Sequence, residues 1–138
     1  MFQKSIKKSF MLEGKGLHFG KDVRLTVHPA PADHGLVFKR SDIKSSDAFV
    51  RACFENVSKT YLRTQLTNSA GVSIMTAEHI LAAFAGLGIH NALIELSETE
   101  VPIFDGSSRK FVEAILKSGV MELEKKTKLY QVVKSIRG

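Results

Sequence analysis

Cysteine is nearly absent: one residue, Cys53, in a chain of 138. A lone thiol excludes an internal disulfide and any multi-cysteine zinc site, and it accords with a reducing, cytoplasmic setting. No apolar run approaches the roughly 20 residues needed to span a bilayer. The opening Met1-Phe-Gln-Lys-Ser-Ile-Lys-Lys-Ser-Phe10 is basic but lacks the continuous apolar region and small-residue cleavage site of a signal peptide. Internal repeats and low-complexity segments are also missing. These absences leave an ordinary globular protein, expected to be soluble and cytoplasmic, and the composition of 43% hydrophobic and 25% charged residues agrees. Such a length is one domain's worth, enough to bury about two-thirds of its unfolded surface.

The net charge of +6 raises the question of nucleic acid. Its distribution answers against it. Basic residues gather at the two ends (Lys4, Lys7, Lys8; Lys125, Lys126, Lys128, Lys134, Arg137) without interleaved stacking aromatics or a binding motif. A solvated basic surface is the simpler reading. A face that meets an anionic ligand or the negative surface of a cytoplasmic membrane leaflet is another.

Hydrophobic periodicity predicts an α+β domain, a mostly antiparallel sheet with two helices packed on one face. Phe2 to Leu12 reads as a first strand, with Ile6, Phe10 and Leu12 on one side. Asp22 to His28 alternates through Val23, Leu25 and Val27, and Leu36 to Arg40 follows after the turn-rich Pro29-Ala-Pro-Ala-Asp-His-Gly35. The opening third is therefore expected to be an antiparallel meander. Phe49 to Phe54, Tyr61 to Leu66, Asn91 to Leu96 and Leu129 to Val133 are further strands, with Cys53 as inert core. Ala77 to Ala85 is a helix with Thr76 as its N-cap, the stripe Ile80, Leu81, Phe84 and Leu87, and a stop at Gly86 and Gly88. A second helix, capped by Ser107 or Ser108, carries Phe111, Val112, Ile115 and Leu116 on one face and stops at Gly119.

Chemistry-bearing residues cluster at helix entrances. Glu78 and His79 fall in the first turn of the first helix, where the dipole favours an ionised acid and a neutral imidazole, the form that binds metal. On spacing alone an acid complementing the dipole beside a half-buried histidine is the favoured reading, since a lone Glu-His pair falls far short of His-Glu-x-x-His. His18 sits between Gly16 and Gly20 in a loop where backbone can approach a ligand closely, or is an ordinary loop histidine. Asp105 precedes the second helix, either as a turn aspartate bonding its own backbone or as a carboxylate presented beside the first helix entrance.

Five ordered segments carry a resemblance. Gly14-Lys-Gly-Leu-His-Phe-Gly20, Pro29-Ala-Pro-Ala-x-x-Gly35, Thr76-Ala-Glu-His-Ile-Leu-Ala-Ala83, Gly86-Leu-Gly-Ile-x-Asn91 and Pro102-Ile-Phe-Asp-Gly-Ser107 resemble the N-terminal domain of the UDP-3-O-acyl-N-acetylglucosamine deacetylases, zinc amidases of lipid A biosynthesis in Gram-negative bacteria. The resemblance implies the first half of a two-domain α+β sandwich with the active site in the cleft between the domains. It implies His79 as a zinc ligand and Glu78 as the general base that activates water. His18, Leu62 and Asp105 then fall on the substrate side, Leu62 near the passage for the acyl chain. The remaining zinc ligands and the catalytic histidine are expected in a second domain. Residues 1–127 are read as the first domain and 128–138 as the start of the strand or linker into that second one.

Arg63, Phe19 and His90 depart from the residues usual in the family at those positions, which touches substrate contacts rather than the Glu-His pair. The expected partners are the UDP-linked acylated glucosamine, the second domain and, peripherally, the inner-membrane surface, with no nucleic acid. A non-catalytic module of the same ancestry that binds a nucleotide sugar or a partner domain is the alternative.

Overall fold

The computed structural model describes residues 1–59 and 64–127. Leu62, Arg63 and the segment 128–138 lie outside the described residues, and with them the expected strand at Leu129 to Val133 and the start of the one at Tyr61.

The α+β expectation holds. Ten strands and two helices run in the order β1 (Phe2–Ile6), β2 (Phe10–Lys15), β3 (Asp22–Pro29), β4 (Leu36–Arg40), β5 (Phe49–Arg51), β6 (Val57–Lys59), β7 (Thr64–Thr67), β8 (Ser73–Met75), α1 (Glu78–Gly86), β9 (Ala92–Leu96), α2 (Arg109–Ser118) and β10 (Val120–Lys126) among the described residues. A five-stranded sheet has the order β2-β3-β9-β4-β5, and β1-β10 and β6-β7-β8 form two smaller sheets. Among these described strands pairing is antiparallel except between β4 and β9.

One contiguous core joins these layers. The alternation of β3 turns Val23, Leu25 and Val27 inward, and β9 adds Ala92, Ile94 and Leu96. They share a cluster with Phe38, Val50, Leu66 and Ile74 and with the helical residues Ile80, Ala83, Phe84, Phe111 and Ile115. Leu81, Leu87 and Val112 pack at its margin, but Leu116 is 58% exposed and outside the apolar face assigned to it from spacing.

Several expectations give way to long-range pairing. The first strand is two strands, because the chain turns at Lys7, whose N–H donates to the Gly119 carbonyl. β1 then leaves the main sheet and pairs with β10, a strand not anticipated at Val120–Lys126. The meander is also broken, since β9 lies between β3 and β4. Asn91 holds it there: its buried side-chain oxygen accepts from Gly35 N–H at 2.8 Å, and Ala92 N–H donates to the Gly35 carbonyl. The polar stretch after Cys53 is not a mere spacer, because Val57–Lys59 forms β6. Cys53 itself is half-buried on a bend, not in a strand core.

The cap of α1 differs too: Ala77, not Thr76, occupies its N-cap, whereas Ser108 occupies that of α2 as expected, neither with a side-chain cap bond. Thr76 is committed elsewhere, while the Ser107 hydroxyl accepts from Arg109 N–H at 3.3 Å. Gly119, with φ 94°, ends α2 as expected.

Phe84 is fully buried between helix and sheet. Phe84→Ala is expected to lower unfolding free energy by about 3–5 kcal/mol. Urea denaturation followed by circular dichroism measures it, and a loss near zero would contradict this packing.

Candidate active site

Helix α1 starts at Glu78, so Glu78 and His79 both stand in its first turn, half-buried. The peptide dipole places partial positive charge there, which suits a carboxylate. Glu78 Oε1 is buried and has no hydrogen-bond partner among the described residues. Leaving a buried carboxylate oxygen unpaired costs free energy, so this atom is suited to a proton donor or a cation that the described chain does not supply. The His79 imidazole likewise has no hydrogen-bond or ion-pair partner among the described residues.

The residue before this turn is backbone-strained. Thr76 has φ 62°, a left-handed conformation that a β-branched side chain rarely adopts. Such a conformation costs of order 1–3 kcal/mol and persists only where the surroundings over-determine it. Here the hydroxyl of Thr76 donates to Glu100 Oε2 at 3.1 Å, within a buried pair.

Glu100 is the functional candidate that sequence reasoning missed. It is only 2% exposed. Its oxygens accept from His18 N–H at 3.0 Å each and from Phe19 N–H at 3.3 Å, in addition to Thr76. The His18 ring stands beside the same carboxylate, Nε2 to Oε2 4.0 Å. A Cβ on Gly16 would lie 2.3 Å from Glu100 Oε1, so only glycine lets the loop come this close. The glycine signal in the 14–20 loop was therefore real, but the group approached at Gly16 is an internal carboxylate. Nothing local marks Glu100, since Ser97-Glu-Thr-Glu100 reads as a solvated polar connection.

Backbone pairing around Glu100 does the same work. Met75 N–H donates to the Thr99 carbonyl and Val101 N–H to the Met75 carbonyl, while Ile103 N–H donates to the Lys15 carbonyl. Residues 99–103 thus form a strap between the end of β8, just ahead of α1, and the end of β2, just ahead of the His18 loop. The strap runs on to Phe104, whose ring packs edge-on to Phe111 at 5.4 Å and would collide with a side chain at Gly14. Leu17 and Phe19, flanking His18, are each 57% exposed and present apolar surface at this edge.

Asp105 follows directly. It is exposed, and Oδ1 accepts from the Ser107 hydroxyl at 2.8 Å and from Ser107 N–H at 3.1 Å. These bonds make it a turn aspartate in this structure. The strap thus ties His18, the α1 entrance and the approach to Asp105 together, whereas Leu62 lies outside the described residues. His28 and His34 have partners of their own, Glu95 with Ser9 for the first and the Gly35 carbonyl for the second.

Among the described residues, no three His, Cys, Asp or Glu side chains group as a metal site. A catalytic zinc needs three protein ligands and an open position. The described residues alone do not make up such a site.

Residues 3–138 match the family model of the UDP-3-O-acyl N-acetylglycosamine deacetylases. The chain belongs to this family. It is 43% identical over 136 residues to the UDP-3-O-acyl-N-acetylglucosamine deacetylase of Wigglesworthia glossinidia brevipalpis, covering 98% of this chain and 45% of the relative. The deacetylases of Marinobacter nauticus and Shewanella frigidimarina are 42% and 40% identical, over 97% and 99% of this chain and 43% and 44% of theirs. The chain therefore spans less than half the length of these family members.

The turn at Asp105 makes a pH prediction. The Ser107 hydroxyl first, then Ser107 N–H, hold the Asp105 carboxyl below its ordinary pKa, with Arg109 adding a smaller pull. A depressed folded value means that the turn's contribution is present above the unfolded pKa and is lost as pH falls through the folded one. An NMR titration of Asp105 is expected to give a midpoint below that of an unstructured peptide, and Ser107→Ala to raise it. A midpoint at or above the peptide value overturns the assignment.

Proposed function

We propose that this chain is part of an enzyme that hydrolyses the acetamide of UDP-3-O-acyl-N-acetylglucosamine, releasing acetate and UDP-3-O-acyl-glucosamine for lipid A. Membership in the deacetylase family supports the reaction class. The observation that carries the reading onto this chain is the Glu78-His79 pair in the first turn of α1, with one carboxylate oxygen buried and unpartnered. A carboxylate so placed is suited to accept a proton from an attacking water, and a neutral imidazole beside it offers a lone pair to a metal.

Zinc is the metal proposed. It would supply Lewis acidity, lowering the pKa of water and polarising the acetyl carbonyl. On this chain His79 would be its ligand, and the other ligands would come from a second domain, in keeping with the chain's coverage of 45% of a relative. His18 and Asp105 would line the substrate side of the cleft, and Leu62 the acyl passage. His18 is held by its own backbone N–H while its ring remains partly open at 26%. The basic ends, within a net charge of +6, suit an anionic diphosphate and a lipid-bearing substrate at the inner face of the cell membrane. The proposed setting is the cytoplasm. No helix among the described residues is long and apolar enough to cross a membrane.

Glu78→Gln in the full-length protein is expected to retain zinc by elemental analysis and to lose about 10²–10⁴-fold in kcat, the usual worth of a general base. Near-normal acetate release would remove the assignment. Residues 1–138 alone are expected to release no acetate and to hold zinc weakly. Stoichiometric zinc on them would reveal a ligand set other than the one proposed. If the full-length protein binds UDP without hydrolysis, a nucleotide-sugar-binding module is the correct reading.

A further inference from the structure

We propose that Glu100 is a positioning residue for this site, a buried carboxylate that clamps the His18 loop to the entrance of α1 so that His18 can meet the substrate. The inference rests on the functional reading above and assigns a role to a residue that reading does not use.

Three observations converge on Glu100. First, it is a buried acid whose hydrogen-bond donors are two loop amides and one hydroxyl, from segments 24 and up to 82 residues away, with the His18 ring Nε2 4.0 Å from Oε2. A carboxylate is acceptor-only with about four lone-pair sites, which suits three converging donors. Second, both approaches are tight. Gly16 leaves no room for a Cβ, and Thr76 holds a left-handed φ of 62° while donating to Glu100. Strain of that kind survives where geometry is enforced and points toward function. Third, the clamped parts are the functional candidates themselves, His18 on one side and, two residues after Thr76, Glu78 on the other.

Pure structural glue would also bury Glu100, so the distinction lies in coupling. A residue acting through His18 has no further effect once the His18 side chain is gone, whereas a general stabiliser adds its loss regardless. Glutamine is the informative replacement: nearly isosteric, but with an NH₂ group that must face one of the donors.

Two measurements test this. On the chain of residues 1–138, Glu100→Gln is expected to speed amide hydrogen exchange at His18 and Phe19 by about tenfold or more, the scale of a lost bond to a charged acceptor, while Leu25 and Val27 in β3 keep their protection. Unchanged exchange at His18 and Phe19, or loss throughout, overturns the clamp. In the full-length deacetylase, Glu100→Gln is expected to lower kcat/KM about tenfold, mainly through KM, and to add little to His18→Ala. Additive losses, or a fall in kcat alone, overturn the positioning role. Should Glu100→Gln not fold, Gly16→Ala serves instead, since it drives a Cβ against Glu100 and predicts the same non-additivity with His18→Ala. If wild-type full-length protein releases no acetate, the functional reading falls and the positioning role with it, while the exchange measurement still decides the clamp.

Discussion

The carboxylate of Glu100 accepts from two amides of the His18 loop and from the hydroxyl of Thr76, and the site's shape depends on those bonds. Hydrogen bonds to a charged acceptor contribute roughly 1.5–3 kcal/mol each, and a buried acid without them is strongly unfavourable. The cost of burying Glu100 and of bending Thr76 into the left-handed region is therefore met in one place. Remove the acceptor and two loop amides, one hydroxyl and one strained residue lose their partner together.

The strap of residues 99–103 extends that constraint into the backbone. It pairs with Met75 ahead of α1 and with Lys15 at the end of β2. Helix α1 is then fixed at its other side by Ile80, Ala83 and Phe84 in the core. A helix held by its apolar face and by the residues just before its first turn cannot rotate its polar entrance away. Packing thus sets the direction of Glu78 and His79, and the strap sets where the loop carrying His18 lies.

On the proposed reading, this frame presents one side of a site. Glu78 Oε1 is buried without a partner among the described residues, and the His79 imidazole has no hydrogen-bond or ion-pair partner among them. Those two features would be liabilities in a finished core. On the reading proposed above, groups of a second domain meet them.

Local sequence determined much about this protein. Alternation marked β3, short apolar stretches marked β4 and β9, three- and four-residue spacing marked the buried stripe of α1, and Gly119 marked the end of α2, because burial imposes its pattern on a short stretch of chain. The ordered family segments were equally legible, and it is their resemblance, not local spacing, that singled out the Glu78-His79 pair. Only the tertiary structure decided the rest: that β9 separates β3 from β4, that the first strand breaks at Lys7 to pair with β10, and that Thr76 serves Glu100 instead of capping α1. Periodicity reports which side of an element is apolar and is silent about which distant element will cover it. Glu100 is the extreme case, a glutamate in a polar stretch whose meaning lies in amides 82 residues away.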